Sequence, residues 1–189
     1  MLDVLRPGVL EGLTVCVVGD GAAERERAAA LGARVVTVDG ELADEDDVAL
    51  AVSALGPIDV LVVDAASEFS AAGGGMGGLR RAVDDGWNVV RAVVNAGWIA
   101  EEGEAPRGGK VVFLAPAADA GEHANAVGAA LENAARTLSV EWARFGVRIT
   151  AIRPRAGAAA DERAELVAFL ASPAGDYFSG CSFYPGAAL

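Results

Sequence analysis

The chain has 189 residues, 53% of them hydrophobic and 22% charged, which is ample apolar material for a buried core and too little charge for a disordered chain. Fifteen Lys and Arg against 27 Asp and Glu leave a formal charge of −12, which repels a nucleic-acid backbone and an anionic membrane surface alike. One histidine (His123) and two cysteines (Cys16, Cys181) cannot close a four-ligand zinc site without carboxylates, so no metal is expected.

In chain order, the first apolar run is LTVCVVG (13–19), too short to cross a bilayer and ending in glycine and acid. No basic segment or cleavage motif precedes it, so no signal peptide is expected and the reading is a cytoplasmic protein. This run, ARVVTVD (33–39), IDVLVVD (58–64), KVVFLA (110–115) and VRITAI (147–152) are continuous rather than alternating, as strands covered on both faces should be. SGCSFY (179–184) reads as a last strand. Helices are predicted over 22–31, 45–55, 79–100, 124–144 and 161–170, and the glycine runs at 73–78 and 107–109 read as loops. Strands alternating with helices predict a single α/β domain over 1–189, a Rossmann-like doubly wound parallel sheet. Cys16 and Cys181 read as small core residues, and Thr150, Ser172 and Ser179 as structural hydroxyls.

The C-terminal half carries the more specific text. GAALENAARTLSVEWARFGVRITAIRP, followed by LVAFLASPAGDYFSGCSFYPG, resembles the short-chain dehydrogenase/reductase superfamily, especially its oxoacyl-carrier-protein-reductase-like members. A glycine turn after the first strand, GPIDVLVVDAA and WNVVRAVVNAG fall in the family's order. The resemblance implies a Rossmann-type sheet and, for an ordinary member, NAD(P)-dependent hydride transfer.

Residue by residue, the chain departs from that chemistry. The family's glycine turn lets backbone amides reach a pyrophosphate at a helix N-terminus. Here Gly19 and Gly21 remain, the later glycines are gone, and Glu24 and Glu26 fall in the expected first helical turn. Acids there suit a bare helix dipole but repel a diphosphate, by about 4 kcal/mol at 4 Å near a surface. Asp39 ends the second strand where a ribose-binding acid is expected. The chain then runs almost directly to ADEDDVALAV, so the family's third strand is expected to be missing. The NNAG-type turn reads Val63-Asp64-Ala65-Ala66.

The family's catalytic Tyr and Lys lie four residues apart. The two tyrosines, Tyr177 and Tyr184, are followed at that spacing by Cys181 and Ala188, so the pair exists at no register. Alignment on Ala129–Glu132 puts Ala124 at the Tyr position and Gly128 at the Lys position. The Ser position falls on Ala115 or Pro116, and the Asn position on Val94, with Asn95 one step away. A slip of one residue brings His123 to the Tyr position, without a lysine at Val127 to assist it. Between Pro154 and the FLAS helix there is no room for the substrate lid.

The leading expectation is therefore a non-catalytic member with no cofactor and no catalytic residue. It would be a structural or regulatory subunit, hetero-oligomerising with an active homologue, or else associating with a second copy of itself, through helix 124–144 and the C-terminal strand. The apolar face of Ala129, Leu131, Leu138 and Trp142 reads either as core alone or as core and contact together, the second being the favoured reading. The alternative is an NAD(P)-dependent ketoreductase with a rearranged site, using Gly19, Gly21 and Asp39 for the cofactor and His123 or Asp64 for chemistry. A small-ligand sensor using the vacated cleft is a third reading.

Overall fold

A computed structural model describes residues 5–38, 42–99 and 105–186. The six apolar runs form six parallel strands: β1 (Thr14–Val18), β2 (Arg34–Thr37), β3 (Val60–Val63), β4 (Gly109–Leu114), β5 (Val147–Ile152) and β6 (Cys181–Phe183). Their order in the sheet is β2-β1-β3-β4-β5-β6, with Val15 of β1 opposite Val35 of β2 and Val60 of β3. The full dinucleotide-binding order, 3-2-1-4-5-6, has one more strand outside β2. Among the described residues nothing pairs there, as the short stretch after β2 leads one to expect.

The strands read as continuous runs because both faces are covered. In β1, Val15 and Val17 face one layer, while Cys16 and Val18 face the other. The first layer is α1 (Ala22–Ala30) packed on α6 (Ala160–Ala171), with Ala28, Leu31, Val167 and Leu170 in its core. The second contains α2 (Glu45–Leu55), α4 (Gly75–Val93) and α5 (Ala124–Glu141), contributing Val48, Val89, Val90, Leu131 and Leu138. Asp44 caps α2 by accepting the amides of Asp46 and Asp47 at 2.9 and 3.1 Å. The single lysine is structural: Lys110 Nζ donates to the carbonyls of Ala171 and Ser172 and pairs with Asp176 at 2.7 Å, holding the C-terminus of α6 against β4.

Four expectations need correction. A helix that sequence reading missed, α3 (Ala65–Ala71), follows β3 directly. The glycine run 73–78 is a loop only at its start, because α4 begins at Gly75. Glycine is a poor helix former, but a Cβ at Gly78 would lie 2.7 Å from the Phe69 carbonyl oxygen, so close packing of α3 on α4 demands it. The predicted helix to residue 100 instead ends in a π-helical turn, Val94–Trp98. That turn buries Trp98, whose Nε1 donates to the Ile58 carbonyl at 2.7 Å, and the indole leaves no room for a side chain at Gly109.

The fourth correction concerns α5. Leu131 and Leu138 are buried in the core, but Ala129 is exposed, and Trp142 just past the helix is half-buried. The four residues do not share one face, since 129 and 131 lie about 200° apart around a helix. Trp142 stacks on Trp87 of α4, centroids 6.3 Å apart and planes within 11°.

Candidate functional site

A doubly wound sheet opens a crevice beyond the strand C-termini where chain direction reverses, here between β1 and β3. Gly19 leaves β1 with φ +88°, and Gly21 caps α1 with φ +35°. Glycine is required at both: a Cβ on Gly19 would strike Ser67 Oγ, and one on Gly21 would strike Val17. Thus the two glycines that sequence reading singled out do shape the turn.

The turn is closed onto the start of α3. Asp64, 4% exposed, accepts the Gly21 amide with Oδ2 at 3.0 Å and the Ser67 amide with Oδ1 at 3.2 Å. Ser67 Oγ accepts the Asp20 amide at 3.0 Å and donates to the Asp64 carbonyl at 2.8 Å. Asp64 is the N-cap of α3, and an aspartate directly after an apolar strand was a legible helix-start signal. Two amides of the turn, those of Asp20 and Gly21, are therefore taken by side chains of this chain.

Of the two acids expected in the first turn of α1, Glu24 alone turns inward, and Glu26 is exposed. The Glu24 side chain is fully enclosed, and its Oε1 accepts from Arg163 Nε of α6 at 2.6 Å. Asp39 lies outside the described residues. An open depression of about 530 Å³ remains beside the turn, lined by Asp20, Asp64, Ser67, Glu68 and Arg163. Its charged lining is three carboxylates to one arginine, and with the Asp20 and Gly21 amides already bonded, these residues do not fit a dinucleotide.

The positions matched to the family's catalytic groups lie in the core. Val94, Ala115 and Ala124 are at most 1% exposed and belong to the same cluster as Phe69 and Val127. Pro116 is buried as well. Phe69 closes the space from the α3 side, its ring 3.5 Å from the Cβ position of Gly74 and 3.9 Å from that of Gly121. Asn95 is exposed and lines a depression with Glu45, Asn88 and Arg91 on the flank of the molecule. His123 precedes α5 with φ +70°, the one non-glycine residue with positive φ among those described. It is half-buried, and its Nε2 is 3.6 Å from Glu122 Oε1, beyond hydrogen-bond range.

At Gly128, the Lys position, a Cβ would lie 2.7 Å from Arg153 Nε. Arg153, from the end of β5, instead pairs with Glu132, one turn further along α5. Glu132 also accepts from Arg136 and, at 3.0 Å, from the Tyr184 hydroxyl. The Arg153 hydrogen bond, with help from Tyr184 and Arg136, holds its carboxyl below the usual range despite burial. Sequence reading missed this cluster because its members come from α5, β5 and the segment after β6. Residues 153–159 alone join β5 to α6, which leaves no length for a lid.

An apolar groove of about 730 Å³ runs between α6 and the C-terminal strand, lined by Leu5, Leu166, Phe169, Phe183, Tyr184 and Pro185. No helix among the described residues is long and apolar enough to cross a membrane.

No protein-family model and no curated protein matches the chain. Solved structures do. The chain is similar to a citronellol catabolism dehydrogenase from Pseudomonas aeruginosa PAO1, with 24% identity, a TM-score of 0.75, and 96% of each chain covered. A short chain dehydrogenase from Mycobacterium smegmatis is 21% identical over 96% of this chain and 95% of that one, again with a TM-score of 0.75. A blue fluorescent protein from a metagenomic library, solved in complex with NADPH, is 21% identical over 93% of this chain and 97% of that one, with a TM-score of 0.66. With six parallel strands, helices on both faces and these neighbours, the chain has the Rossmann-type fold of the short-chain dehydrogenases and reductases.

Proposed function

We propose that this chain is a non-catalytic protein on the short-chain dehydrogenase scaffold, serving as a structural or regulatory subunit beside an active homologue. The observation that carries the reading is the burial of Val94, Ala115 and Ala124, in the same apolar cluster as Phe69, at the positions where such an enzyme would place its proton-transferring groups. General acid–base catalysis needs a titratable group within hydrogen-bond reach of the substrate, and these side chains have none. The hydrogen-bonded glycine turn supports the same reading, since its Asp20 and Gly21 amides are engaged by Ser67 and Asp64.

Two surfaces suit a partner. One is the α4–α5 face, where Trp87 is 40% and Val140 76% exposed, and the other is the apolar groove along α6 and β6. The test has two arms. NADH and NADPH titrated against the fluorescence of Trp87, Trp98 and Trp142 should give no saturable change at micromolar concentration. A reductase from the same host, co-expressed with this chain, should be retained by it and keep its activity. Saturable binding with turnover of a carbonyl substrate would overturn the reading, as would a lone monomer in the host.

The alternative reductase, with NAD(P) on Gly19, Gly21 and Asp39 and chemistry at His123 or Asp64, draws on the φ of His123, because strained backbone collects at functional sites. Asp64 is a poor base in that scheme, with both oxygens already accepting backbone amides. His123→Ala separates the readings: a rearranged reductase loses its turnover, and a non-catalytic subunit keeps its partner.

A further inference from the structure

The first turn of α1 holds a feature that the fold does not require. Glu24 has no side-chain exposure, and its Oε2 has no hydrogen-bond partner among the described residues. Buried carboxylate oxygens are ordinarily bonded, because leaving one unmade is unfavourable. Oε2 lies 3.8 Å from the point that a Cβ on Gly21 would occupy, against the N-cap of the helix. There the unpaired first-turn amides and the helix dipole attract negative charge. Facing it from α6 is Arg163, 2.6 Å from Oε1. The nearby acids are otherwise engaged: Asp64 holds the Gly21 and Ser67 amides, and the exposed Asp20 stands 3.8 Å from Arg25.

A helix N-terminus, a glycine without a side chain and a guanidinium are the parts of an oxyanion site. We propose that Glu24 is a built-in anion, its carboxylate standing on Arg163 and the α1 N-terminus in place of a phosphate-class ligand, and that its removal uncovers a site for such oxyanions. The carboxylate is tethered, so it competes at high effective concentration and excludes a second negative charge by repulsion. The unpartnered Oε2 fits this account: a carboxylate fills the room of a larger oxyanion without reaching all of its donors.

The inference rests on the non-catalytic reading, but the two fail by different measurements. Turnover of a carbonyl substrate by the wild type would sink that reading, whereas the plug is decided by variants at Glu24. Inorganic pyrophosphate is the probe, titrated by calorimetry at low ionic strength into wild type, Glu24→Ala, Glu24→Gln and the double variant Glu24→Ala/Arg163→Ala, with folding checked by circular dichroism. Glu24→Ala should bind at least about tenfold more tightly than wild type, with a Tm that rises with pyrophosphate. The double variant should lose that gain. Glu24→Gln keeps the shape without the charge, guards against misfolding of the alanine variant, and should shift in the same direction. The proposal is overturned if the folded variants bind no better than wild type, or if the gain survives loss of Arg163.

Discussion

Glu132 receives hydrogen bonds from three residues on different parts of the chain: Arg136 one turn along α5, Arg153 at the end of β5, and Tyr184 just after β6. Its folded pKa is lowered, chiefly by the Arg153 hydrogen bond. The stabilisation is therefore present above the unfolded carboxylate pKa, about 4.3, and is lost as pH falls through the lower folded value. Glu132→Gln should lower stability by about 1–3 kcal/mol near neutral pH, and the gap to wild type should close below about pH 4; urea melts at both pH values measure it. The two thiols differ in the same residue-level way. Burial pushes Cys16 up to about 12, while Cys181 on the edge strand is half-buried. A disulfide reagent should react with one thiol per native chain and with two after denaturation. His123, Asp64 and the glycines were visible in the sequence as residues. Their roles were not, because a hydrogen bond such as Asp64 to Gly21 spans 43 positions.

Among the elements, α3 is the decisive one. It is seven residues long, below the length at which helical periodicity can be read, yet it puts Phe69 into the core and Ser67 onto the glycine turn. Phe69→Ala should cost about 3–5 kcal/mol, read from the denaturant midpoint. Two neighbouring glycines of α4 should respond with opposite sign. At Gly77 the nearest atom to an added Cβ is 3.8 Å away, so Gly77→Ala should stabilise the helix by about 0.5–1 kcal/mol. Gly78→Ala drives a methyl into the Phe69 backbone and should destabilise by about 1–3 kcal/mol, with thermal melts as the measure. The strands and helices 22–31, 45–55 and 124–144 were legible because their patterns are long and strong. The glycine-rich start of α4 was not, since propensity argues against a helix that tertiary packing imposes.

For the molecule as a whole, a sheet with no strand outside β2 among the described residues and a seven-residue link between β5 and α6 keep the layered core and remove the length from which a lid is built. If the α4–α5 face carries a partner, Val140→Arg should change stability by less than about 0.5 kcal/mol, because the side chain is already in water. The same substitution should abolish retention of a co-expressed homologue, read by light scattering and co-purification. The sequence by itself determined the α/β alternation, the six strands and the exclusion of a Tyr–Lys pair. Buried strands announce themselves as apolar runs, and a pair at fixed local spacing can be excluded by reading positions. Only the tertiary structure decided which side chains meet around the glycine turn and in the core beneath it. Phe69, Glu24 with Arg163, and Asp64 with Gly21 meet across 43 or more residues or across separate layers. No local pattern encodes such meetings, because strand order and helix packing alone bring those side chains together.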